Sequence, residues 1–149
     1  LTLIKRDLDI WKPGEHNGTF RGNCHAFVTA KVALETFWRE DAFEKEIAEK
    51  AEILKSRLAA IGEEHGGLVA RIKGRGMMLG LDMKSGAVAG AIVQEAFSRG
   101  LVIETSGAND EIVKCLTPLT ITNAELEKGL DILAAAVRVV AKDLDKAAA

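Results

Sequence analysis

The clearest helical pattern of the sequence lies near its end, and it limits the folds that the chain can adopt. Thr122 is followed three residues later by Glu125, which is the spacing of a capping box at a helix start. An apolar stripe at helical spacing follows: Leu126, Leu130, Leu133, Val137, Val140 and Leu144. A helix with such a stripe must bury it against another layer of structure. We expect residues 145–149 to fray.

Three further stretches have the same period, and each begins with a capping residue or an acidic first turn. A helix from Asn23 presents Phe27, Ala30, Leu34, Phe37 and Trp38 on one side. A long helix over residues 41–64 buries Ile47, Ala51, Leu54, Leu58 and Ile61, and pairs Glu46 with Lys50 on its solvated side. A helix from Ser85 to Gly100 presents Ala89, Ile92, Val93, Ala96 and Phe97.

The segments between these helices have the composition and alternation of strands. Residues 68–73 and 77–83 form either a hairpin or one long, bulged strand, interrupted at Gly74-Arg75-Gly76. Residues 101–105 and 112–116 are two shorter strands. The order of elements predicts an α+β fold with a small, mostly antiparallel sheet and helices on one face.

The composition excludes several classes of function. A net charge of −2 gives no reason to expect nucleic acid or an acidic membrane surface as a partner. No apolar run approaches the about 20 residues that a membrane span requires. The two cysteines are too few for a disulfide framework, and His16, His25 and His65 lack the spacing of a metal site. A reducing cytoplasm is the simplest location, and we expect no metal.

A loop rich in glycine and small polar residues, Lys12 to Asn23, precedes the first helix. Such a composition predicts turns with exposed backbone N–H groups next to a helix N-terminus. Unpaired N–H groups and the helix dipole can bind an anion such as phosphate there. The alternative is a solvated turn in which Asn23 only caps the helix.

The sequence of this loop favours a phosphate-binding site over a solvated turn. The run His16-Asn17-Gly18-Thr19-Phe20-Arg21-Gly22-Asn23 resembles the H-x-x-T-F-x-G-N segment of class III pyridoxal-phosphate aminotransferases. A looser match covers Arg71, Arg75, Gly76, Met78 and Gly80, in a segment that the family uses as a strand of its small domain. The resemblance implies that Thr19, between Gly18 and Phe20, contacts the cofactor phosphate of a neighbouring subunit.

The resemblance also implies a domain organisation. Residues 1–40 would be the tail of the large cofactor-binding domain of a fold-type I transferase, and residues 41–149 its C-terminal small domain. The family's Schiff-base lysine and its ring-facing aspartate lie upstream of the His-x-x-Thr-Phe loop. No lysine of this chain stands in a matching context, and the chain starts with Leu. We therefore expect a C-terminal fragment that has no catalytic residue of its own and is inactive alone.

The reaction that the resemblance implies is an amino transfer between small molecules. The longer run from Trp11 to Asn23 is similar to members that transfer the amino group of glutamate to aspartate 4-semialdehyde, giving 2,4-diaminobutyrate. Pyridoxal 5'-phosphate would be the cofactor of the complete enzyme. The enzyme would bind amino acid and oxo acid substrates. It would also associate with further copies of the same chain, in a homodimer or higher homo-oligomer.

One position departs from the family pattern. Many class III enzymes have an arginine three residues before Pro-Pro-Leu, where it binds a substrate carboxylate through two hydrogen bonds. This chain has Lys114 there, followed by Thr117-Pro118-Leu119. Lysine is a point charge without the planar fork of arginine. Lys114 is therefore either a weaker contact for a substrate carboxylate or an ordinary strand lysine. Its neighbour Cys115 is expected to be buried and unreactive.

A second hypothesis comes from a different class of protein. A free-standing α+β interaction module without catalysis would contain the same elements. It would associate with itself through apolar surface that a truncated gene had left exposed.

Overall fold

The computed structural model describes residues 3–15 and 17–148. His16, which opens the family motif, and Ala149, at the end predicted to fray, lie outside these residues. The chain divides into two compact units, Leu1–Glu40 and Asp41–Ala149.

The first unit contains one long helix, α1, over Cys24–Phe37, preceded by a short 3-10 helix at Arg6–Leu8. Asn23 caps α1, because its side-chain oxygen accepts hydrogen bonds from the backbone N–H groups of His25 and Ala26 at 3.0 and 3.3 Å. The predicted helix start is therefore confirmed, together with the cap that ends the preceding loop.

The predicted apolar stripe of α1 is present but exposed. Phe27 and Leu34 are each 60% exposed, and Trp38 is 47% exposed. The short 3-10 helix is the only other regular element described in Leu1–Glu40, and it contributes no buried residue. The stripe has the periodicity of a packed helix, but the described residues of this unit form no layer that covers it.

The second unit is an antiparallel sheet with helices on one side. Its strands lie in the order β1-β2-β4-β3, and every neighbouring pair is antiparallel. Helix α2 packs on β1 and β2, helix α3 packs on β3 and β4, and helix α4 contacts both helices. The elements are α2 Ala42–Glu64, β1 Arg71–Arg75, β2 Met78–Asp82, α3 Gly86–Ser98, β3 Glu104–Ser106, β4 Ile112–Leu116 and α4 Asn123–Ala148. This arrangement confirms the predicted α+β fold.

The core forms on the helix side of the sheet. Leu79 and Leu81 of β2 lie opposite Cys115 and Val113 of β4, and all four are buried. They meet the apolar faces of the three helices, whose fully buried members include Leu54, Leu58, Ile92, Leu133 and Val137. Since side chains alternate along a strand, the intervening residues Gly80, Asp82 and Lys114 lie on the opposite face. That face carries the charged residues of the sheet.

The hairpin was the correct alternative for the first two strands, but its bounds differ from the prediction. Arg75 pairs with Met78, which leaves Gly76 and Met77 as a two-residue turn. Strand β1 begins only at Arg71, because the N–H groups of Leu68 and Val69 both donate to the His65 carbonyl where α2 ends. Gly74 and Arg75, predicted as an interruption, belong to the strand.

The third strand was also placed too early. β3 covers Glu104–Ser106 rather than residues 101–105. The N–H groups of Gly100 and Leu101 donate to the carbonyls of Phe97 and Ala96, so these residues complete the end of α3. Of the residues predicted to share one side of α3, Ala89, Ile92 and Ala96 are buried, whereas Phe97 is 64% exposed.

Two charged or terminal features differ from expectation as well. The pair of Glu46 and Lys50 forms, but Lys50 is only 2% exposed rather than solvated. Its ammonium also donates to the Leu119 carbonyl at 3.2 Å, which connects α2 to the loop after β4. In addition, α4 continues to Ala148, past the position where fraying was predicted.

Substitution of two glycines of this unit by alanine should change the free energy of unfolding in opposite directions. A Cβ at Gly80 would lie 2.5 Å from Ile112 Cγ2 and 2.8 Å from the Val113 carbonyl oxygen. Gly80→Ala should therefore lower the free energy of unfolding by about 1–3 kcal/mol. A Cβ at Gly90 in α3 would meet no atom within 4 Å. Gly90→Ala should raise the same free energy by about 0.5–1 kcal/mol. Urea unfolding of the two variants measures both, and a stable Gly80→Ala variant would contradict the close strand approach.

Candidate functional site

The loop before α1 consists of consecutive tight turns. The Glu15 N–H donates to the Lys12 carbonyl at 3.1 Å, with Gly14 at a φ of +88°. The Glu15 carboxylate accepts a hydrogen bond from the Lys12 N–H at 2.7 Å. A glycine at positive φ after a proline is typical of a type II turn. The loop is therefore ordered by its own hydrogen bonds.

Two further turns contain Thr19 or follow it directly. The N–H of Arg21 donates to the Gly18 carbonyl at 3.0 Å, and the N–H of Asn23 donates to the Phe20 carbonyl at 3.3 Å. Gly18 has a φ of +61° and lies under the Arg21 side chain, whose Nε is 1.9 Å from the place of a Cβ. This position therefore requires glycine while Arg21 keeps its conformation.

The three predicted cofactor residues, Gly18, Thr19 and Phe20, lie together in these turns. Thr19 is exposed, and Phe20 is 85% exposed. The Thr19 hydroxyl forms no hydrogen bond with any other described residue. It can therefore donate to a ligand without giving up an internal bond.

The helix N-terminus contributes less than the sequence suggested. The Asn23 side chain already occupies the N–H groups of His25 and Ala26, so these two amides are not available to an anion. The alternative of a helix cap is thus realised at these two groups. A phosphate at this loop would depend on the Thr19 hydroxyl and on the turn itself.

Lys114, the predicted substrate contact, lies in the second unit on the polar face of the sheet. In the register of the sheet it stands between Gly80 of β2 and Glu104 of β3. Its Nζ is 2.6 Å from Glu104 Oε1, and its side chain is 24% exposed. Within the described residues Glu104 is its one carboxylate partner. Lys114 is thus a paired strand lysine that solvent still reaches.

A groove of about 410 Å³ is lined by residues of α2, β4 and α4 and by the residues that lead into β3. Glu104 and Lys114 both line it, and most of its other walls are apolar: Leu54, Leu101, Val102, Ile103, Leu126, Leu130 and Leu133. The groove is large enough for a small organic molecule. Its apolar walls come from the helix side of the sheet, whereas the Glu104–Lys114 ion pair lies on the opposite, polar face.

Comparison with known proteins identifies the family. Residues 4–137 match the family model described as aminotransferase class III. The chain belongs to the class III aminotransferases.

The individual matches are consistent over nearly the whole chain. A diaminobutyrate–2-oxoglutarate transaminase of Nocardia farcinica is 51% identical over 94% of this chain. A protein of the same name from Halalkalibacterium halodurans is 47% identical, also over 94%. This chain covers 32% and 33% of those two proteins, so it spans about a third of their length.

A solved structure supports the same family. The N-acetylornithine aminotransferase of Stenotrophomonas maltophilia is 29% identical, with a TM-score of 0.66 over 76% of this chain and 31% of that chain. The likeness confirms the predicted fold-type I architecture. None of these matches supports the alternative of a non-catalytic interaction module.

The other carboxylates of the polar sheet face are bound to other cations. Asp82 accepts from Lys73 at 3.0 Å and from the backbone N–H of Lys84 at 3.1 Å. Hydrogen bonds from Lys73 and from the Lys84 backbone hold the pKa of Asp82 below its usual value. Glu111 also lies 3.6 Å from Lys73. Two separate charge groups therefore share this face of the aminotransferase chain.

Glu104 is the site residue that the sequence analysis missed. It was placed in a strand, but without a register there was no reason to set it opposite Lys114. A signal was present, since two short strands joined by a turn at residues 106–110 pair as a hairpin. Because β3 was predicted to begin three residues too early, the pairing of Glu104 with Lys114 could not be derived.

No membrane-spanning or metal-binding feature appears in the part of the chain that the structure describes. None of its helices is both long enough and apolar enough to cross a bilayer. No group of three or more His, Cys, Asp or Glu residues within the described ranges could hold a metal ion.

Cys115 should be unreactive in the folded protein. It is buried in β4, and burial raises its thiol pKa to about 12. Because the thiolate is the nucleophile, only about one thiol in 10⁴ is reactive at pH 8. We expect iodoacetamide to leave Cys115 unmodified in the native protein and to modify it in 8 M urea, as quantified by peptide mass spectrometry. Rapid native alkylation would contradict the burial of this thiol.

Proposed function

We propose that this chain is the C-terminal third of a pyridoxal-phosphate-dependent aminotransferase. The enzyme transfers the amino group of glutamate to aspartate 4-semialdehyde and so forms 2,4-diaminobutyrate and 2-oxoglutarate. The observation that carries this proposal is the 47–51% identity to proteins named diaminobutyrate–2-oxoglutarate transaminase over 94% of the chain.

The two units take different parts in this proposal. We assign Leu1–Glu40 to the large cofactor-binding domain and Asp41–Ala149 to the small domain. The enzyme works in the cytoplasm as a homodimer or higher homo-oligomer. The lysine that binds the cofactor covalently lies in the two thirds of the enzyme that this chain does not cover.

The loop of the first unit holds the cofactor phosphate of a neighbouring subunit. Pyridoxal phosphate supplies the electron sink for the amino transfer. The loop fits its phosphate because the Thr19 hydroxyl is exposed and has no partner among the described residues. The Thr19 hydroxyl donates a hydrogen bond to a phosphate oxygen. Gly18 supplies the left-handed turn behind it. Phe20, whose side chain is 85% exposed, is the third cofactor-binding residue of this proposal.

Lys114 of the second unit contacts a substrate carboxylate. The lysine is accessible, and its partner Glu104 is itself 69% exposed, so a ligand can reach the ammonium group. Exposed ion pairs contribute little to stability, and a substrate can compete for one of the partners. A lysine at this position gives a weaker contact than the two-pronged contact of an arginine.

The reaction itself tests this proposal. The full-length protein that contains this chain, incubated with glutamate, aspartate 4-semialdehyde and pyridoxal phosphate, should form 2-oxoglutarate and 2,4-diaminobutyrate in equal amounts. Chromatography with mass detection measures both products. Absence of 2,4-diaminobutyrate with this acceptor, while another amino acceptor is consumed, would assign the enzyme to a different member of the family.

Thr19→Ala should weaken binding of pyridoxal phosphate to the full-length enzyme. A hydrogen bond to a charged group contributes about 1.5–3 kcal/mol, so we expect the Kd to rise about ten- to one-hundred-fold. Equilibrium titration followed by cofactor absorbance measures this Kd. Thr29→Ala is the matched control, because the Thr29 hydroxyl donates to the His25 and Ala26 carbonyls of its own helix. Equal affinities for Thr19→Ala and wild type would remove Thr19 from the site.

Lys114→Ala should raise the KM for 2,4-diaminobutyrate, because a carboxylate of that substrate loses its cation. Loss of one charge-assisted hydrogen bond in an exposed site predicts a rise of about ten-fold. Lys114→Arg should lower the same KM below the wild-type value, since it restores the planar fork. Lys146→Ala is the control, as Lys146 is a surface lysine paired with Asp143. If Lys114→Ala and Lys146→Ala gave the same KM, Lys114 would be only a strand lysine.

A further inference from the structure

The pair of Glu104 and Lys114 presents two opposite charges side by side on an accessible surface. The two residues face each other directly across β3 and β4, with 2.6 Å between Oε1 and Nζ. On the other side of Lys114 stands Gly80, with Ile112 Cγ2 beside it. Solvent still reaches 24% of the Lys114 side chain and 69% of the Glu104 side chain. A ligand that approaches this place therefore meets a cation and an anion together.

We propose that Glu104 is a specificity-determining residue that binds the α-ammonium group of the amino acid substrate while Lys114 binds its α-carboxylate. This inference rests on the proposed function and names the part of the substrate that the site selects. The ammonium and carboxylate of an α-amino acid are attached to one carbon atom. They are therefore held side by side, as the Glu104 and Lys114 charges are.

The charge pattern favours a zwitterion over a simple carboxylate. A zwitterion aligned against the pair gives the Lys114 ammonium a carboxylate and gives the Glu104 carboxylate an ammonium, so each charge keeps an opposite neighbour. A ligand end with only a carboxylate would have to separate Lys114 from Glu104 and would then lie beside the negative charge of Glu104. Glu104 therefore favours the first ligand and disfavours the second.

The neighbouring charges do not replace Glu104 in this role. Asp82 and Glu111 lie on the same side of the sheet but are held by Lys73, at 3.0 and 3.6 Å. Glu104 has only Lys114 as a salt-bridge partner within the described ranges, and its side chain is 69% exposed. It is the one of the three carboxylates that an incoming ammonium can reach without displacing Lys73.

Only one half of the proposed reaction uses such a site. 2,4-Diaminobutyrate gives up the amino group of its fourth carbon, so its α-ammonium and α-carboxylate remain intact and can bind the pair. Glutamate reacts at its α-amino group and has no second ammonium to offer, and 2-oxoglutarate has none at all. Glu104 should therefore act on the diaminobutyrate half-reaction alone.

The test compares three substrates in the full-length enzyme with Glu104→Gln. The KM for 2,4-diaminobutyrate should rise about ten-fold, the effect of one lost charge-assisted hydrogen bond. The KM for 2-oxoglutarate should not rise. The preference in kcat/KM for 2,4-diaminobutyrate over 4-aminobutyrate, which lacks the α-ammonium, should fall about ten-fold. Glu104→Asp keeps the charge and should retain most of this preference.

Glu95→Gln is the matched control, because Glu95 is a partly exposed carboxylate that pairs with Arg99 on α3. It should leave all three values at the wild-type level. An equal change for 2,4-diaminobutyrate and 4-aminobutyrate in Glu104→Gln, or no change for either, would overturn the assignment of Glu104. A wild-type enzyme that does not accept 2,4-diaminobutyrate would instead refute the proposed function, and the two failures are thus distinct.

Discussion

The burial of one face of a narrow sheet determines most of the second unit. The middle strands β2 and β4 place Leu79, Leu81, Val113 and Cys115 against the helices, and Leu81 and Val113 are completely buried. Because a strand alternates its side chains, this burial forces Gly80, Asp82 and Lys114 to the other face. The charged residues that the proposed chemistry uses are therefore positioned by the same apolar contacts that stabilise the fold. A one-residue slip of register would bring Lys114 into the core.

Periodicity predicted the helices and the α+β class because it reports which side of an element is apolar. It failed where local hydrogen bonds decide where an element begins. Residues Leu68 and Val69 alternate like a strand, but their N–H groups are used to end α2. Leu101 is likewise used to end α3. Periodicity also cannot tell what covers an apolar face. Helix α1 has a regular stripe, yet none of the described residues of its own unit buries it.

The part of the candidate site that consists of consecutive residues could be predicted from the sequence. Gly18, Thr19 and Phe20 form one short motif, and the turns that present them follow from glycine at positive φ. The sequence also showed that either a phosphate or the Asn23 side chain could accept hydrogen bonds from the first N–H groups of α1. In the structure, Asn23 accepts from two of these groups. Glu104 could not be found in this way. Its role depends on a partner ten positions away in the sequence, which only the strand register brings next to it.

The buried ammonium of Lys50 has a consequence for motion. Moving the loop after β4 away from α2 would take the Leu119 carbonyl from a cation that is 2% exposed and would leave Glu46 as its one described partner. Loss of a hydrogen bond to a buried charge is costly. The loop after β4 and helix α2 should therefore keep their relative position whenever the second unit moves.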